Sequence, residues 1–500
     1  MSLHWSIIRR CLRDPFGVAA VDDRRVWKRA EVMVGGCHVA DEVERLTGHR
    51  HVAVMLPTCG AFGMVALGIW MAGRVVVPLN YLLTREELEF LVEDSGCEVV
   101  LSTQVMMDYV GLGEDERLGG ARVVRVEDLS LGGVPDPRLP AMAGDDDLAV
   151  ILYTSGTSGL PKGVMLTHGN IGSNVRQCVE HAGRDVWEGM LGVLPQFHSF
   201  GLTVLTVLPL VIGSKVVYTA RFVPRKIVEL LREHRPHVFV GIPSMYAALA
   251  RVKDAGPGDF RCLEMAVSGG EPLPDDVCRR FRERFGIRIS EGYGLTETSP
   301  VTNVRLPGED VERTVGRALP GVEQLIVGVE GGEAGRVLGP GREGEIRMRG
   351  PNVMRGYYRR AEETEGAFDE AGRFRTGDMG TLDAEGFLRI TGRIKEMMIV
   401  GGENVFPREI EEVLNKHPSV RASGVVGRVD DVRGEVPVAF VEVEEGEGFD
   451  ADSVKGWCRE RLAGYKVPRE LVVVDELPRS GTGKVMRRKL MERVEAEAGA

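Results

Sequence analysis

The sequence lacks paired cysteines and a secretion signal. Its eight cysteines are scattered, and no two of them form a C-x-x-C pair. This spacing argues against a zinc site, and we expect the thiols to be buried and reduced. The first ten residues contain neither the apolar segment nor the cleavage site of a signal peptide. We therefore expect a cytoplasmic protein.

An excess of basic residues and a long apolar segment are also missing. The chain has 63 Lys and Arg against 74 Asp and Glu, a formal net charge of −11. Such a chain is a poor general binder of nucleic acid, although a nucleotide pocket can be locally positive. The apolar stretch 60–79 is interrupted by Arg74, and the stretch 202–213 is too short to span a bilayer. We expect no nucleic-acid partner and no transmembrane segment.

The residue pattern predicts an α/β protein of more than one domain. A chain of 500 residues exceeds what one hydrophobic core organises. Strand-like runs such as Met265–Ser268 alternate with amphipathic segments such as Pro224–His234, which favours largely parallel sheets. Residues 316–390 are predicted to form a β-rich subdomain, and residues from 395 onward a compact α+β unit. The predicted division is a large N-terminal domain, 1–394, and a small C-terminal domain, 395–500.

The loop from Thr154 to Gly163, TSGTSGLPKG, is the most informative segment of the chain. It follows the apolar run Leu148–Tyr153, which is predicted to be a strand, and it offers four hydroxyls, three glycines and one lysine. Glycine allows backbone N–H groups to approach an anion closely, and successive N–H groups can form an anion-binding nest. The loop lacks the spacing of a Walker A motif. We interpret it as a polyphosphate-binding loop, the alternative being a flexible surface turn.

Further motifs accompany this loop in a fixed order. They are Glu291–Thr298 (EGYGLTET), Arg373–Asp378 (RFRTGD), Gly392–Met397 (GRIKEM) and Pro478–Lys484 (PRSGTGK). Together the five segments span essentially the whole chain, and they resemble the acyl-adenylate-forming superfamily. That superfamily includes acyl-CoA synthetases, aryl-CoA ligases, peptide-synthetase adenylation domains and firefly luciferase.

The resemblance implies a two-step reaction that uses ATP, Mg²⁺ and coenzyme A. A carboxylate attacks the α-phosphate of ATP to give an acyl-adenylate and pyrophosphate, and a thiol then attacks the activated carbonyl and releases AMP. Preorganised donors, a cation and Mg²⁺ neutralise the charge that shifts in the first step. The resemblance also implies that the C-terminal domain is mobile and swings about a hinge at Lys395 between the two steps.

The same resemblance assigns roles to individual residues of the nucleotide site. The phosphates would be held by Thr154, Ser155, Gly156, Thr157, Ser158, Gly159 and Lys162. The nucleotide and acyl pocket would be lined by Gly269, Gly270, Glu271 and Gly294. Tyr293 would lie against adenine, since stacking suits an aromatic ring. Its alternative reading is a tyrosine of the core.

The remaining assignments concern catalysis, the metal and the ribose. Thr296 would bond the α-phosphate, and Glu297 would help to hold Mg²⁺, which prefers carboxylate oxygen. Asp378 would accept hydrogen bonds from both ribose hydroxyls, unless it is simply a turn residue after Gly377. Arg393 would approach the ribose or a phosphate.

Lys484 is the residue to which we assign the first half-reaction, because a flexible ammonium can reach both the α-phosphate and the substrate carboxylate. Without the other motifs it would be read as solvated surface charge. His198, in Pro195–Gly201 (PQFHSFG), would stand beside the carboxylate end of the acyl pocket, or else be a core or loop histidine.

The sequence is compatible with several acid substrates and with more than one thiol acceptor of the acyl group. We expect the acyl pocket to be lined by four segments, His198–Gly213, His237–Leu249, Ser268–Glu271 and Gly294–Pro300. The first two contain no Lys or Arg, which disfavours a dicarboxylate and favours a hydrocarbon chain or an aryl ring. We expect a medium- or long-chain fatty acyl-CoA ligase, with an aryl-acid CoA ligase as one alternative. A second alternative is an acyl-AMP ligase that loads the phosphopantetheine of a carrier protein, and a third is a silent nucleotide-binding scaffold. The assembly is open between a monomer and a homodimer.

Overall fold

The structure is a computed structural model. It describes residues 2–113, 116–136, 139–154, 161–183, 188–309, 311–329, 331–430, 433–444, 446, 448–479 and 485–498.

The N-terminal part, up to residue 136, alternates short strands and helices. The strands are β1 (Val18–Val21), β2 (Val26–Lys28), β3 (His51–Met55), β4 (Val75–Pro78), β5 (Val99–Ser102), β6 (Arg117–Leu118) and β7 (Ala121–Arg125). The helices are α1 (Leu3–Arg13), α2 (Arg29–Leu46), α3 (Gly60–Met71), α4 (Arg85–Ser95) and α5 (Gln104–Val110). Helix α3 is apolar on nearly every side and almost wholly buried, which explains the long apolar stretch in the sequence as a core helix.

Residues 148–304 continue the alternation. The strands are β8 (Leu148–Thr154), β9 (Lys162–Thr167), β10 (Met190–Gly192), β11 (Val216–Tyr218), β12 (Val238–Gly241), β13 (Met265–Ser268), β14 (Ile289–Gly294) and β15 (Val301–Val304). The helices are α6 (His168–Ala182), α7 (Ser199–Leu202), α8 (Leu208–Ile212), α9 (Pro224–His234), α10 (Pro243–Leu249), α11 (Pro257–Phe260) and α12 (Asp275–Phe285). A π-helical turn, Thr203–Val207, joins α7 to α8.

Residues 323–498 form the β-rich and C-terminal parts. The strands are β16 (Glu323–Val327), β17 (Glu343–Arg349), β18 (Gly356–Tyr357), β19 (Phe374–Leu382), β20 (Leu388–Arg393), β21 (Met398–Val400), β22 (Glu403–Val405), β23 (Val420–Asp430), β24 (Gly434–Val443) and β25 (Glu470–Val473). The helices are α13 (Ala361–Gly366), α14 (Pro407–Leu414), α15 (Ala451–Arg459) and α16 (Arg487–Ala498).

Two eight-stranded sheets, counted over the described residues, organise the N-terminal part. Their orders are β15-β14-β13-β12-β10-β11-β1-β2 and β18-β9-β8-β4-β3-β5-β7-β6. The inner pairs are parallel, as predicted, and strands at both edges pair antiparallel. The α/β class is thereby confirmed. Successive side chains of β12 and β13 face opposite sides of the sheet, as in any pleated strand, so that Phe239 and Ala266 pack in one hydrophobic cluster and Val240 and Val267 in another.

The two smaller sheets lie in the predicted β-rich subdomain and in the predicted C-terminal α+β unit. Strands β16, β17, β19 and β20 form an antiparallel sheet over the predicted β-rich subdomain. In the last hundred residues, β21 to β25 form one sheet that packs with α14 and α15 around a core of its own, which includes Ile410, Val441 and Val454. Among the described helices, none has both the length and the apolar character needed to cross a membrane.

Candidate active site

Residues from every predicted motif meet in one large cleft. Its volume is about 2490 Å³, several times what a single drug-sized ligand requires. The described site residues that line it are Thr154, Lys162, His198, Gly269, Gly270, Glu271, Tyr293, Gly294, Thr296, Glu297, Asp378, Arg393 and Lys395. The other predicted residues, Ser155, Gly156, Thr157, Ser158, Gly159 and Lys484, lie outside the described residues. The cleft can therefore hold a nucleotide together with a second substrate.

The flanks of the predicted phosphate loop form an antiparallel hairpin. Thr154 ends β8 and Lys162 begins β9, and the two residues are paired across the strands. The arrangement differs from the strand–loop–helix of a P-loop, in agreement with the missing Walker A spacing. Gly163 has a steric reason to be glycine, because a Cβ there would lie 2.8 Å from Cγ2 of Ile151.

Three side chains from separate strands meet at the predicted ribose and adenine positions. Asp378 in β19 is only 3% exposed, and it lies opposite Arg393 of β20 in the strand register. The Tyr293 hydroxyl donates to Oδ2 of Asp378 at 2.6 Å, and Nε of Arg393 lies 2.8 Å from Oδ1. Burial and the charge of Asp378 raise the pKa of Tyr293 well above its usual value, so its hydroxyl stays a donor.

The predicted metal ligand lies on a short 3₁₀ turn, Thr296–Thr298, that follows β14. The Tyr357 hydroxyl donates to Oε1 of Glu297 at 2.9 Å. Burial raises the pKa of Glu297, and the hydrogen bond from Tyr357 opposes that rise. The Glu297 carboxylate is a hard oxygen donor of the kind that Mg²⁺ takes alongside substrate phosphates, so it fits a magnesium ion.

His198 and the segment after β13 lie at another part of the same cleft. His198 is the residue before α7, and its Nδ1 accepts a hydrogen bond from the backbone N–H of Phe200 at 3.4 Å. The Ser199 and Thr296 hydroxyls are 3.4 Å apart, which connects this loop to the turn that carries Glu297. A Cβ on Gly269 would lie 2.9 Å from the Phe200 ring, so glycine permits the close approach of the two segments.

An apolar wall extends the cleft between the strands. The lining residues from α6, β10, β12, β13, β15 and 203–208 all carry uncharged side chains; they are Cys178, Ala182, Met190, Val204, Leu208, Val238, Val240, Met265, Val267, Val301 and Val304. The sequence predicted the contributions of segments 198–213 and 237–249. It missed those of α6, β10, β13 and β15, whose local pattern is that of any core helix or strand.

The C-terminal part closes one side of the cleft. Arg479 and Val485, which flank the undescribed residues 480–484, form a β-bridge with each other and line the cleft. Nζ of Lys416 on the C-terminal side lies 2.8 Å from Oδ2 of Asp275 on the N-terminal side. Lys395 lies on the turn Ile394–Glu396 between the two parts. Its role as a hinge and the boundary at 394/395 stay predictions.

Comparison with known proteins identifies the family. A family model described as AMP-binding enzyme matches residues 44–358, and one described as AMP-binding enzyme C-terminal domain matches residues 409–484. The chain belongs to the AMP-binding enzyme family. The two matched ranges correspond to the N-terminal part and the C-terminal part that face each other across the cleft.

Similar members of the family act on different acids. A feruloyl-CoA synthase of an Amycolatopsis species is 35% identical over 492 residues, which cover 97% of this chain and 98% of that one. A long-chain-fatty-acid–CoA ligase of Bacillus subtilis (strain 168) is 32% identical over 484 residues, which cover 88% and 85% of the two chains. The resemblance to acyl-adenylate-forming enzymes is confirmed, and this AMP-binding enzyme is an AMP-forming acid–thiol ligase.

Solved structures of relatives agree in fold. ATP-bound MatB from Rhodopseudomonas palustris has a TM-score of 0.90 at 30% identity, with 99% of both chains covered. The O-succinylbenzoate coenzyme A synthetase MenE from Bacillus subtilis, in complex with ATP and a magnesium ion, has a TM-score of 0.86 at 28% identity and covers 97% of this chain and 99% of its own. The AMP-binding enzyme described here uses ATP, Mg²⁺ and coenzyme A.

Proposed function

We propose that this ligase joins a medium- or long-chain fatty acid to coenzyme A. The observation that carries the proposal is the apolar wall of the cleft, because the side chains contributed by α6, β10, β12, β13 and β15 offer no charge to a second polar group on the acid. Burying each methylene of a hydrocarbon chain against such a wall contributes roughly 0.8 kcal/mol. A second carboxylate there would be desolvated without a partner.

In the proposed first half-reaction, residues of the chain hold ATP at three places. Lys162 and the loop from Thr154 to Gly159 bind the phosphates, Asp378 accepts from the ribose hydroxyls, and Tyr293 lies against adenine. Glu297 would hold Mg²⁺, which would supply charge neutralisation. These roles are supported by the meeting of the described residues in one cleft.

The acid would enter along the apolar wall with its carboxylate toward His198 and Thr296. His198 would orient the carboxylate, Thr296 would bond the α-phosphate, and Lys484 would bridge the two reacting groups. Because Arg479 and Val485 line the cleft, we infer that the described arrangement of the C-terminal part is the one that serves adenylate formation. Rotation about Lys395 would then admit the thiol for the second half-reaction.

A specific observation favours a second candidate substrate class, the aryl acids. Feruloyl-CoA synthases match 97% of this chain at 35% identity, a fuller match than that of the fatty acid ligase. An aromatic ring also suits an apolar pocket. Loading of a carrier protein in place of coenzyme A is a further alternative, since both acceptors end in the same phosphopantetheine arm. Dimerisation also stays a prediction.

One experiment separates these alternatives. Pyrophosphate release is measured with ATP, Mg²⁺ and a panel of acids, namely acetate, the even-numbered fatty acids to C16, benzoate, cinnamate, ferulate and malonate, each with and without coenzyme A. The proposal expects a coenzyme A-dependent signal that peaks between C8 and C16. A peak at cinnamate or ferulate supports the aryl alternative, and a single turnover unaffected by coenzyme A supports a carrier-protein acceptor.

A further inference from the structure

Tyr357 contacts both Lys162 and Glu297, the residues assigned to the phosphates and to Mg²⁺. It lies in none of the sequence motifs. It lies in β18, which pairs antiparallel with β9, and Tyr357 faces Val164 in that register. This pairing carries its ring to Lys162, whose Nζ lies 5.4 Å from the ring centroid. A cation at this distance over an aromatic face is attracted by the ring quadrupole.

The hydroxyl of the same side chain reaches the predicted metal ligand. It donates to Oε1 of Glu297 at 2.9 Å, across 60 positions of sequence. A carboxylate whose first oxygen is held in this way has a fixed orientation, and its second oxygen is directed by the same constraint.

The backbone around Tyr357 holds both contacts in place. The N–H of Met354 donates to the carbonyl of Glu297 at 2.7 Å, and the N–H of Tyr358 donates to the carbonyl of Gly163 at 2.7 Å. The segment 354–358 is therefore tied by main-chain bonds to the turn that carries Glu297 and to the strand that begins at Lys162. Such bonds restrict how far the ring and hydroxyl of Tyr357 can drift from their two partners.

We propose that Tyr357 is a positioning residue for MgATP: its hydroxyl orients Glu297 for the metal, and its ring holds the Lys162 ammonium beside the phosphates. The inference rests on the proposed function, which assigns Glu297 to Mg²⁺ and Lys162 to phosphate. Groups that hydrogen-bond a metal ligand typically change metal affinity by roughly 10- to 100-fold when they are removed. The two halves of the Tyr357 side chain should therefore have separable effects.

Two substitutions separate the hydroxyl from the ring. Tyr357→Phe removes the hydrogen bond to Glu297 and keeps the aromatic face over Lys162, whereas Tyr357→Leu removes both. Tyr358→Phe is the matched control, because the Tyr358 ring contacts other residues. Its centroid lies 5.3 Å from that of the His51 ring and 5.0 Å from the Arg359 guanidinium carbon. Thermal unfolding confirms that each variant is folded before binding is compared.

The measurement is ATP binding by isothermal titration calorimetry across a series of Mg²⁺ concentrations and in EDTA. For Tyr357→Phe we expect the Mg²⁺ concentration at half-maximal effect to rise by about tenfold, with ATP affinity in EDTA unchanged. For Tyr357→Leu we expect the same rise and also a loss of about two- to fivefold in ATP affinity in EDTA. Tyr358→Phe should match the wild type in both series.

Other outcomes overturn the proposal. A wild-type Mg²⁺ dependence in Tyr357→Phe, or an equal loss with and without Mg²⁺, would show that the hydroxyl acts only structurally. Glu297→Gln separates this failure from failure of the underlying assignment. If Glu297→Gln weakens the Mg²⁺ response and Tyr357→Phe does not, the role of Tyr357 is wrong. If Glu297→Gln leaves the response intact, the assignment of the metal ligand is wrong, and the inference about Tyr357 falls with it.

Discussion

The hydroxyl of Tyr293 lies 2.6 Å from Oδ2 of Asp378, although 85 positions separate the two residues. The contact joins the end of β14 in a mixed sheet to β19 in the β-rich sheet. It places the predicted adenine contact and the predicted ribose contact side by side. The predicted nucleotide site thus lies where two structural units meet, and neither unit contains it alone.

Asp378→Ala is expected to weaken ATP binding by about 1.5–3 kcal/mol, because hydrogen bonds to a charged group contribute that much. Asp378→Asn, which keeps the shape but removes the charge, should lose less. Isothermal titration calorimetry with ATP measures both variants, and thermal unfolding checks that they are folded. Unchanged ATP affinity in the folded alanine variant would contradict the ribose assignment.

Lys484→Ala is expected to abolish pyrophosphate release while sparing thioester formation from supplied acyl-adenylate, because the lysine is assigned to the first half-reaction alone. Arg493→Ala, an exposed cation on α16, serves as the control and should keep both activities. The two half-reactions are assayed separately, with labelled pyrophosphate and with synthetic acyl-adenylate. Equal loss of both would show that Lys484 does not have the assigned role.

Lys416→Ala is expected to slow adenylate formation by up to about fivefold, because it removes an ion pair to Asp275 that holds the C-terminal part against the cleft. Partly exposed pairs typically contribute about 0.2–1 kcal/mol, which sets that limit. Arg313→Ala is a matched control, since Arg313 pairs with the same Oδ2 of Asp275 from the N-terminal side. The rates of the two half-reactions are compared. The same slowing in both variants, or in both half-reactions, would contradict a role in domain arrangement.

Cys178→Phe is expected to shorten the preferred fatty acid, because Cys178 lines the apolar wall and a larger side chain would fill space that a chain occupies. Each excluded methylene should lower kcat/KM by about fourfold, the equivalent of roughly 0.8 kcal/mol. Cys178→Ala enlarges the same space and should shift the preference the other way or leave it unchanged. The chain-length profile of kcat/KM is the measurement, and identical profiles for both variants would place the acyl chain elsewhere.

Protonation of His168 is expected to lower the free energy of unfolding as the pH falls below neutral. Burial, reinforced by nearby His4, lowers the pKa of His168 from 6.5 to about 4. The unfolded chain therefore binds more protons between these values, so stability from this residue is complete above about pH 6.5 and is lost as the pH falls toward 4. The full loss corresponds to about 3 kcal/mol, since one pKa unit is about 1.4 kcal/mol.

The check on His168 is urea unfolding of the wild type and of His168→Asn at several pH values. The difference in the free energy of unfolding should change across pH 6.5 to 4 and stay constant above pH 7. Titrating groups that do not interact with His168 cancel in this difference, whereas His4, which contacts it, is removed as a variable by repeating the comparison in a His4→Asn background. A difference that does not vary with pH would show that His168 has an ordinary pKa in the folded protein.

Much of the fold could be read from local pattern. Helix α9 has the predicted bounds, and β13 does too, because apolar periodicity reports which face of an element is buried. The antiparallel direction of β9 against β8 could not be read in this way. Strand direction depends on the connection and the partner, and the sequence of one strand contains neither.

The candidate site, too, could be predicted from the sequence only in part. Described residues from every motif line one cleft, as the family resemblance implies. Tyr357 and Cys178 were missed, because a tyrosine on a two-residue strand and a cysteine on a core helix have no local feature that marks them. Their importance arises from neighbours that are distant in sequence, such as Glu297 for Tyr357.

The sequence by itself determined the family, the α/β class and the residue types available for nucleotide chemistry, since these are set by motif order and by short-range hydrophobic periodicity. Only the tertiary structure decided that Tyr293 bonds Asp378, that Tyr357 contacts both Lys162 and Glu297, and that α6 and β15 line the apolar wall of the cleft. These contacts join segments from about 60 to almost 200 positions apart. Each depends on how whole sheets pack and cross over, a property of the complete fold that no single segment encodes.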